Sequence, residues 1–416
     1  MKRLILFLIF LAITASTSVN SEAEDNFRVL SLDEYKDRMA AAWLGQMAGV
    51  GWGAPTEFRF NGRIIPKAEF PEWKPETINQ FQQDDLYVEM TFLKTLEDYG
   101  WDVSLHQAGI DFANSGYELW HANKFGRRNL RQGIAPPDSG HPNFSDHADD
   151  IDYQIEADFS GIIAPGLPNL AVELGETFGR LMNYGDGLYG GQFVGAMYAE
   201  AFFLDSPRAI VEAGLRAIPA DSQYHECISD VLRWHDENPD SWEDVWELIN
   251  QKYQLNPDYR LASCEKNEFN IDAKINGAYI VMGLLYGSGD PDKTIEIATR
   301  CGQDSDCNPS NAAGVLFTML GCGKLPDKYT SGLVRNIKFS HTAYDFDGLL
   351  AICEKLAIAG VKRAGGRIET DDNGNSILHI PVVALTPGKA EKCWAPGPVA
   401  NSRFTDEEMS RILIKE

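Results

Sequence analysis

Apolar residues return every three or four positions along most of this chain, the spacing that gathers them on one face of an α-helix. DDLYVEMTFLKTLEDYG sets Leu86, Met90, Leu93 and Leu96 on one stripe and stops at Gly100, a helix with its C-terminal punctuation. SLDEYKDRMAAAWLGQMAGV opens with Ser31 and carries Glu34 three residues on, the pattern of a capping box. NLAVELGETFGRLMNYG, GQFVGAMYAEAFFLD, SWEDVWELINQKY, AKINGAYIVMGLLYG and SNAAGVLFTMLGCG read the same way. From Ser31 to about Ala364 strand-like alternation is nearly absent. One large all-α domain is the economical reading.

The pattern changes at both ends. In RIETDDNGNSILHIPVVAL, Asn373-Gly374 separates two β-prone runs, a strong hairpin signal. A small C-terminal β appendage is therefore expected over residues 365–416. At the other end Lys2 and Arg3 precede an apolar run from Leu4 to Ile13, and Ser21-Glu22-Ala23 follows. A basic start, a short apolar core and a small-residue end predict a signal peptide over residues 1–23. The run is too short to span ~30 Å of hydrocarbon, and no later apolar stretch reaches spanning length. These boundaries leave residues 24–364 for the helical domain. The mature protein is expected to be exported, periplasmic or extracellular, without membrane insertion.

Charge narrows the partners. Lys and Arg number 37 against 61 Asp and Glu, a net charge of −24. So acidic a surface lacks the basic footprint that nucleic acid or an anionic membrane needs. Seven cysteines are too sparse for a disulfide scaffold, and no C-x-x-C pair suggests zinc or redox chemistry. The odd number leaves at least one thiol unpaired.

Two acidic stretches carry the candidate chemistry. In CGQDSDCNPSNAAG, Asn308 as N-cap with Pro309 behind it predicts a helix start. Asp304 and Asp306 then lie in the loop just upstream. An EF-hand would need glycine and glutamate where Pro309 and Val315 stand, so that reading fails. In QFQQDDLYVEM, Asp84 and Asp85 open an amphipathic helix, with Glu89 one turn on from Asp85. If the two pairs meet in space, four carboxylates repel unless cations neutralise them. Oxygen ligands of this kind favour Mg²⁺, Mn²⁺ or Ca²⁺ over zinc.

Other stretches weigh less. GDGLYG (185–190) matches G-x-G-x-x-G literally, but a helical pattern rather than a strand precedes it, which excludes a dinucleotide fold. Tyr189, Gly190 and Gly191 either let a ligand approach a helix N-terminus or pack helices closely. His141 and His147 share a loop with Asp146, Asp149 and Asp150, at a spacing that fits no helical or finger-type zinc pattern. Asp152, Gln154 and Glu156 line either a cleft or a solvated helix face.

Taken in order, these segments resemble the ADP-ribosylglycohydrolases (dinitrogenase reductase-activating glycohydrolase-like) over most of residues 31–360, as a divergent exported member. WLGQMAGVGWGAPTEF (43–58) is similar to the family's early helix and G-D-x-x-G…P-x-E-F loop, and QQDDLYVEM to its T-D-D-T element. CGQDSDCNPSNAAG is similar to the late G-x-D-T-D-T element, and DGLYGGQFVGAMYAEAF (186–202) to a glycine-rich helix entry beside the substrate. The resemblance implies an all-α bundle holding one or two divalent metals, usually Mg²⁺. It implies hydrolysis of the N- or O-glycosidic bond of a small-molecule or protein-linked ADP-ribosyl or related ribosyl substrate. Carried over by position, Asp84, Asp85, Asp304 and Asp306 are metal ligands, with Gln83 and Cys307 in ligand positions. Glu57 and Asp85 are the catalytic candidates. Asp186, Tyr189, Gly190 and Gly191 are substrate contacts. Gln83, Leu86, Ser305 and Cys307 stand where the family has threonines, and Gln46 where an aspartate is usual. Cys307 either packs as a small thiol or bridges to Cys301. These departures leave two alternatives open: a non-catalytic nucleotide- or sugar-binding protein on the same fold, and a hydrolase of another glycoside or nucleoside.

Overall fold

The computed structural model describes residues 26–414; the leader read over 1–23 lies outside the described residues. A short strand, β1 (Phe27–Ser31), leads into the long helix α1 (Leu32–Gly53). Then follow α2 (Asp84–Tyr99), α3 (Leu105–Ala113), α4 (His121–Arg131), the short α5 (Asp152–Ile155) and α6 (Asp158–Ile162), and α7 (Pro168–Phe178). The second half holds α8 (Asp186–Ala201), α9 (Pro207–Leu215), α10 (Gln223–Glu237), α11 (Trp242–Ile249), α12 (Ala273–Gly287), α13 (Pro291–Arg300) and α14 (Cys307–Leu320). The last elements are α15 (Phe346–Arg363), β2 (Arg367–Thr370), β3 (Ser376–Pro381) and α16 (Asp406–Ser410). The chain is a helical bundle with a small antiparallel sheet, as its periodicity predicts. Among the described residues no helix is long and apolar enough to cross a membrane.

The helices sort by how much of their circumference is apolar. α8, α12, α14 and the C-terminal half of α1 are buried on all sides and form the centre. Stripe-patterned helices such as α2 and α10 bury one face and surround them. Leu86, Met90, Leu93 and Leu96 are all buried, and Gly100 ends α2 at φ 77°. Ser31 caps α1 by accepting from the Glu34 backbone N–H, but the Glu34 carboxylate turns to Arg38, so only half of the expected box forms.

The packing of α1 against α14 is the most extensive in the bundle, and glycines allow it. A side chain at Gly49 would put its Cβ 2.2 Å from the Pro309 carbonyl oxygen, and one at Gly53 would meet the Ser305 carbonyl oxygen at 2.0 Å. Backbone therefore lies on backbone, and the late acidic loop is pressed against the end of α1.

The sheet has the order β1-β3-β2, one strand more than the expected hairpin, because residues 27–31 pair with 377–381. The turn is also longer than Asn-Gly alone: Thr370 pairs with Ser376, and Asp371 accepts from the backbone of Asn373 and Asn375 to close the five-residue loop. Beyond β3 the chain runs along the body. Cys393 donates to the Tyr184 carbonyl, and Asp138 accepts from the backbone of Ala400 and Ser402.

Gly49→Ala tests the α1–α14 contact. Helix propensity alone would favour alanine by about 1 kcal/mol, whereas forcing a methyl into packed backbone costs about 1–3 kcal/mol or more. The expected outcome is net destabilisation, read as a lower urea midpoint at unchanged m-value. A midpoint that holds or rises would show that the contact does not depend on glycine.

Candidate functional site

Two helix N-termini meet at the floor of a cleft of about 360 Å³ whose walls include Glu57, Gln83, Asp84, Asp304, Asp306 and Cys307. Gln83 is the N-cap of α2, so Asp84 and Asp85 occupy its first turn, where unpaired N–H groups and the helix dipole favour carboxylates. α14 starts two residues earlier than Asn308-Pro309 suggests. Asp306 is its N-cap, because the Asp306 carbonyl already accepts from the Ser310 N–H. Pro309 still falls in the first turn, where its missing N–H costs nothing.

The two acid pairs converge. Cys307 Sγ donates to Asp85 Oδ1 at 3.1 Å, and oxygens of Asp304 and Asp306 lie within 4.8 Å of each other and of that sulfur. Glu57 follows α1 and stands at the exposed edge of the cleft. Its loop is stitched to the late motif by Phe58 N–H donating to Gln303 O (3.0 Å) and by the Thr56 and Ser305 hydroxyls, 2.8 Å apart. Gln303 also accepts from Asn270 N–H and donates to Glu268 O. Three separate segments are thus fixed around Asp304.

A third acidic segment, which sequence reading weighed only as an even choice between cleft and solvated face, closes the site. Asp152 accepts from the backbone N–H groups of Ala122 and Asn123 and so caps α4 across the cleft. Glu156 accepts from the Asn123 side chain, and Asp158 holds Asn311 of α14 at 3.0 and 2.9 Å. Trp120, His121 and Tyr87 line the cleft as well. Asp158 went unrecognised because a five-residue helix is too short to show periodicity, although its place at a helix start is the signal that marks Asp84.

Burial and mutual repulsion raise these carboxyls together. Burial, then Asp84 and Asp306, push Asp85 well above the usual carboxylate range. Burial and then Asp306 and Glu57 do the same for Asp304. Burial and then Asp306 push Asp84 up to about 6, and partial burial with Asp306 and Asp84 pushes Glu57 up to about 8. Asp85 Oδ2 and Asp304 Oδ1 are buried without a hydrogen-bond partner among the described residues. Unpaired buried carboxylate oxygens gathered at one site are what a divalent cation satisfies, and a set dominated by oxygen suits a hard ion. The site can hold a divalent metal.

Other expected site residues lie elsewhere. Tyr189, Gly190 and Gly191 sit in the second turn of α8 and pack against the body. A Cβ on Gly190 would strike Gln154 and Tyr224, one on Gly191 would strike Tyr153, and the Tyr189 hydroxyl is held by the backbone of residues 389–391. Asp186 is buried and accepts from Tyr224 N–H. The glycines serve helix packing, and none of these four residues lines the cleft. Cys301 and Cys307 are both free thiols, so the bridge between them does not form. Leu86 is fully buried in apolar surroundings.

Each raised carboxyl binds its proton more tightly in the folded chain than in the unfolded one. These carboxyls therefore stabilise the metal-free protein most at low pH, and their contribution is lost as pH rises, from 4.5 to about 8 through Glu57 and from 3.8 to about 6 through Asp84. Thermal unfolding across this window should show Tm falling with pH without metal. Added Mg²⁺ or Mn²⁺ should restore it, more at the upper end. A flat profile, or one indifferent to metal, would contradict a shared cation site.

A solved structure described as "ADP-ribosylglycohydrolase-related protein complex" is similar at 16% identity and a TM-score of 0.49, covering 79% of this chain and 99% of that one. Comparison with curated proteins gives no match. The family model for ADP-ribosylglycohydrolase matches residues 31–365, a span that contains both acid pairs, the third acidic segment and the glycine contact that sets them together. On that match the chain belongs to the ADP-ribosylglycohydrolase family.

Proposed function

We propose that the chain is a metal-dependent hydrolase that cleaves the N- or O-glycosidic bond of an ADP-ribosyl or related ribosyl substrate, small or protein-linked. The observation that carries the reading is the meeting of Asp84 and Asp85 with Asp304 and Asp306 across 220 residues, at the base of a cleft with unpaired buried oxygens. Family membership supports the substrate class.

Asp84, Asp85, Asp304 and Asp306 would hold the metal, taken here as Mg²⁺, with the Gln83 amide oxygen near the rim. Bound there, the ion supplies charge neutralisation and Lewis-acid polarisation of ribose hydroxyls and water. In the reaction a water oxygen bonds to the anomeric carbon, the bond to the leaving nitrogen or oxygen breaks, and the leaving atom takes a proton. Glu57, raised and at the exposed edge, is placed to take a proton from water or give one to the leaving group. Asp85 accepts from the Cys307 thiol on one oxygen, and its other oxygen is buried without a hydrogen-bond partner among the described residues. Trp120 and Tyr87 offer aromatic faces to the sugar or base.

A second reading follows from Leu86 and Cys307, which replace hydroxyl ligands: the fold binds a nucleotide or sugar without turning it over. Purified protein incubated with N- and O-linked ADP-ribose conjugates, nucleosides and aryl glycosides, with free ADP-ribose followed as product, separates the readings. Release from the first group alone is expected. Binding by calorimetry without release favours the second. Asp304→Ala should lose both metal and turnover, and Glu57→Gln should lower kcat by about 10²–10⁴-fold while retaining metal. Unchanged metal stoichiometry in Asp304→Ala would sink the assignment.

We also propose, from Lys2, Arg3 and the Leu4–Ile13 run, that the protein works outside the cytoplasm. Fractionation of cells expressing the tagged full chain should recover a product trimmed near Ala23 outside the cytoplasm. An untrimmed cytoplasmic product would refute export.

A further inference from the structure

A second group of ligand-type side chains lies beside the cleft, apart from the carboxylate site. His121 at the start of α4, His147 and Asp150 in the loop before α5, and Cys264 in the loop before α12 bring their ligand atoms within 4.8 Å of one another. Asp150 Oδ2 is 2.6 Å from His147 Nδ1 and 3.7 Å from His121 Nδ1. His141, the other histidine of that loop, points away, packed on Tyr184 with its Nε2 at the Gly397 carbonyl. The loop spacing alone gave no zinc pattern because two of the four side chains come from other segments.

Unpaired atoms point to a ligand. Asp150 is fully buried and its Oδ1 has no hydrogen-bond partner among the described residues; His121 Nδ1 has none either. The fixed cations nearby are committed to other acids. Lys274 Nζ is 3.1 Å from Asp272 and 3.4 Å from Asp149, and Arg260 Nε is 3.8 Å from Asp272. Asp150 is left with two imidazoles and the Cys264 thiol, and a buried carboxylate without a cation is costly.

The surrounding chain is braced for such a site. Ile151 N–H donates to Ile271 O at 3.0 Å and Ala273 N–H to Asp149 O at 2.9 Å, which joins the His147–Asp150 loop to the start of α12. Arg260 gathers the Cys264 loop by donating to the carbonyls of Glu265 and Phe269. Two imidazoles, a carboxylate and a thiolate form a four-donor set that suits zinc and is foreign to Mg²⁺ or Ca²⁺. Tetrahedral zinc needs donor–donor separations of about 3.3–3.8 Å, so the His147–Asp150 pair, now at 2.6 Å, has to open while the wider pairs close slightly.

We propose that His121, His147, Asp150 and Cys264 bind one zinc-class divalent ion, separate from the carboxylate site, which clamps the start of α4 and two loops at the rim of the cleft. Binding displaces the Cys264 thiol proton to solvent and involves no redox change. Because His121 follows Trp120, the ion also fixes the aromatic edge of the cleft.

The full chain, stripped with chelator and reloaded with Zn²⁺ in excess Mg²⁺, tests this by metal analysis after gel filtration. About one equivalent of zinc should be retained, and Tm should rise. Co²⁺ in place of zinc should give a tetrahedral visible spectrum with a near-ultraviolet thiolate charge-transfer band that Cys264→Ser removes. His147→Ala and, independently, His121→Ala should weaken zinc by at least about tenfold, while Asp304→Ala keeps its zinc. Absence of retained zinc in the wild-type chain overturns the proposal. So does a cobalt thiolate band that survives Cys264→Ser, or zinc that is lost in Asp304→Ala and kept in both histidine variants.

Discussion

Like charges are buried together where two helix starts meet, and the fold is organised around keeping them there. Two unit charges about 4 Å apart repel by ~4 kcal/mol at the effective dielectric of a protein, against a typical net stability of ~5–15 kcal/mol. Asp84, Asp85, Asp304 and Asp306 form enough close pairs that the folded chain cannot keep all of them ionised without compensation. Protons supply it in part, as the raised carboxyls show. A divalent cation supplies it at neutral pH without surrendering the negative charge that makes the site useful.

Holding repelling groups at close range needs a scaffold that does not yield. Here the scaffold is backbone packed on backbone. Gly45, Gly49 and Gly53 line one edge of α1, and each faces main-chain atoms of α14 or its preceding loop. Main chain cannot rotate away as a side chain can, so the late acidic loop has one position relative to α1. Gln303 then ties that loop to the Glu57 loop and to residues 268–270 through both ends of its amide and its backbone.

The sequence made legible whatever depends on local chemistry. Apolar stripes such as Leu86, Met90, Leu93 and Leu96 marked helices because solvent imposes a period on any helix lying between core and water. Asp84 and Asp306 were readable because acids at helix starts are both electrostatically favoured and close to recognisable caps. What failed depended on contacts between distant segments. β1 pairs with β3 across the whole chain and has too few residues to announce itself. The glycines of α8 read equally well as ligand room or as helix packing, and only the positions of Tyr153, Gln154 and Tyr224 decide between them. Asp152 is a cap for a helix whose own N-cap, Trp120, offers no side-chain acceptor, and no rule of local spacing connects the two.

Residues 150–158 explain why two different donor sets can stand so near each other. Asp150 turns toward the imidazoles, Asp152 is spent on the backbone of α4, Glu156 on Asn123 and Asp158 on Asn311. One segment thus divides its acids between the rim cluster and the cleft floor while positioning α4 between them. Cys307 is the one sulfur among the oxygens of the floor, and its environment decides its part. Burial, then Asp304 and Asp306, hold its thiol protonated, and its S–H donates a hydrogen bond to Asp85. A neutral thiol donating a hydrogen bond steadies a carboxylate much as a hydroxyl would, yet it offers a hard cation little. Sulfur on the floor therefore orients a ligand, whereas Cys264 at the rim, beside two imidazoles, has the company in which a thiolate binds metal.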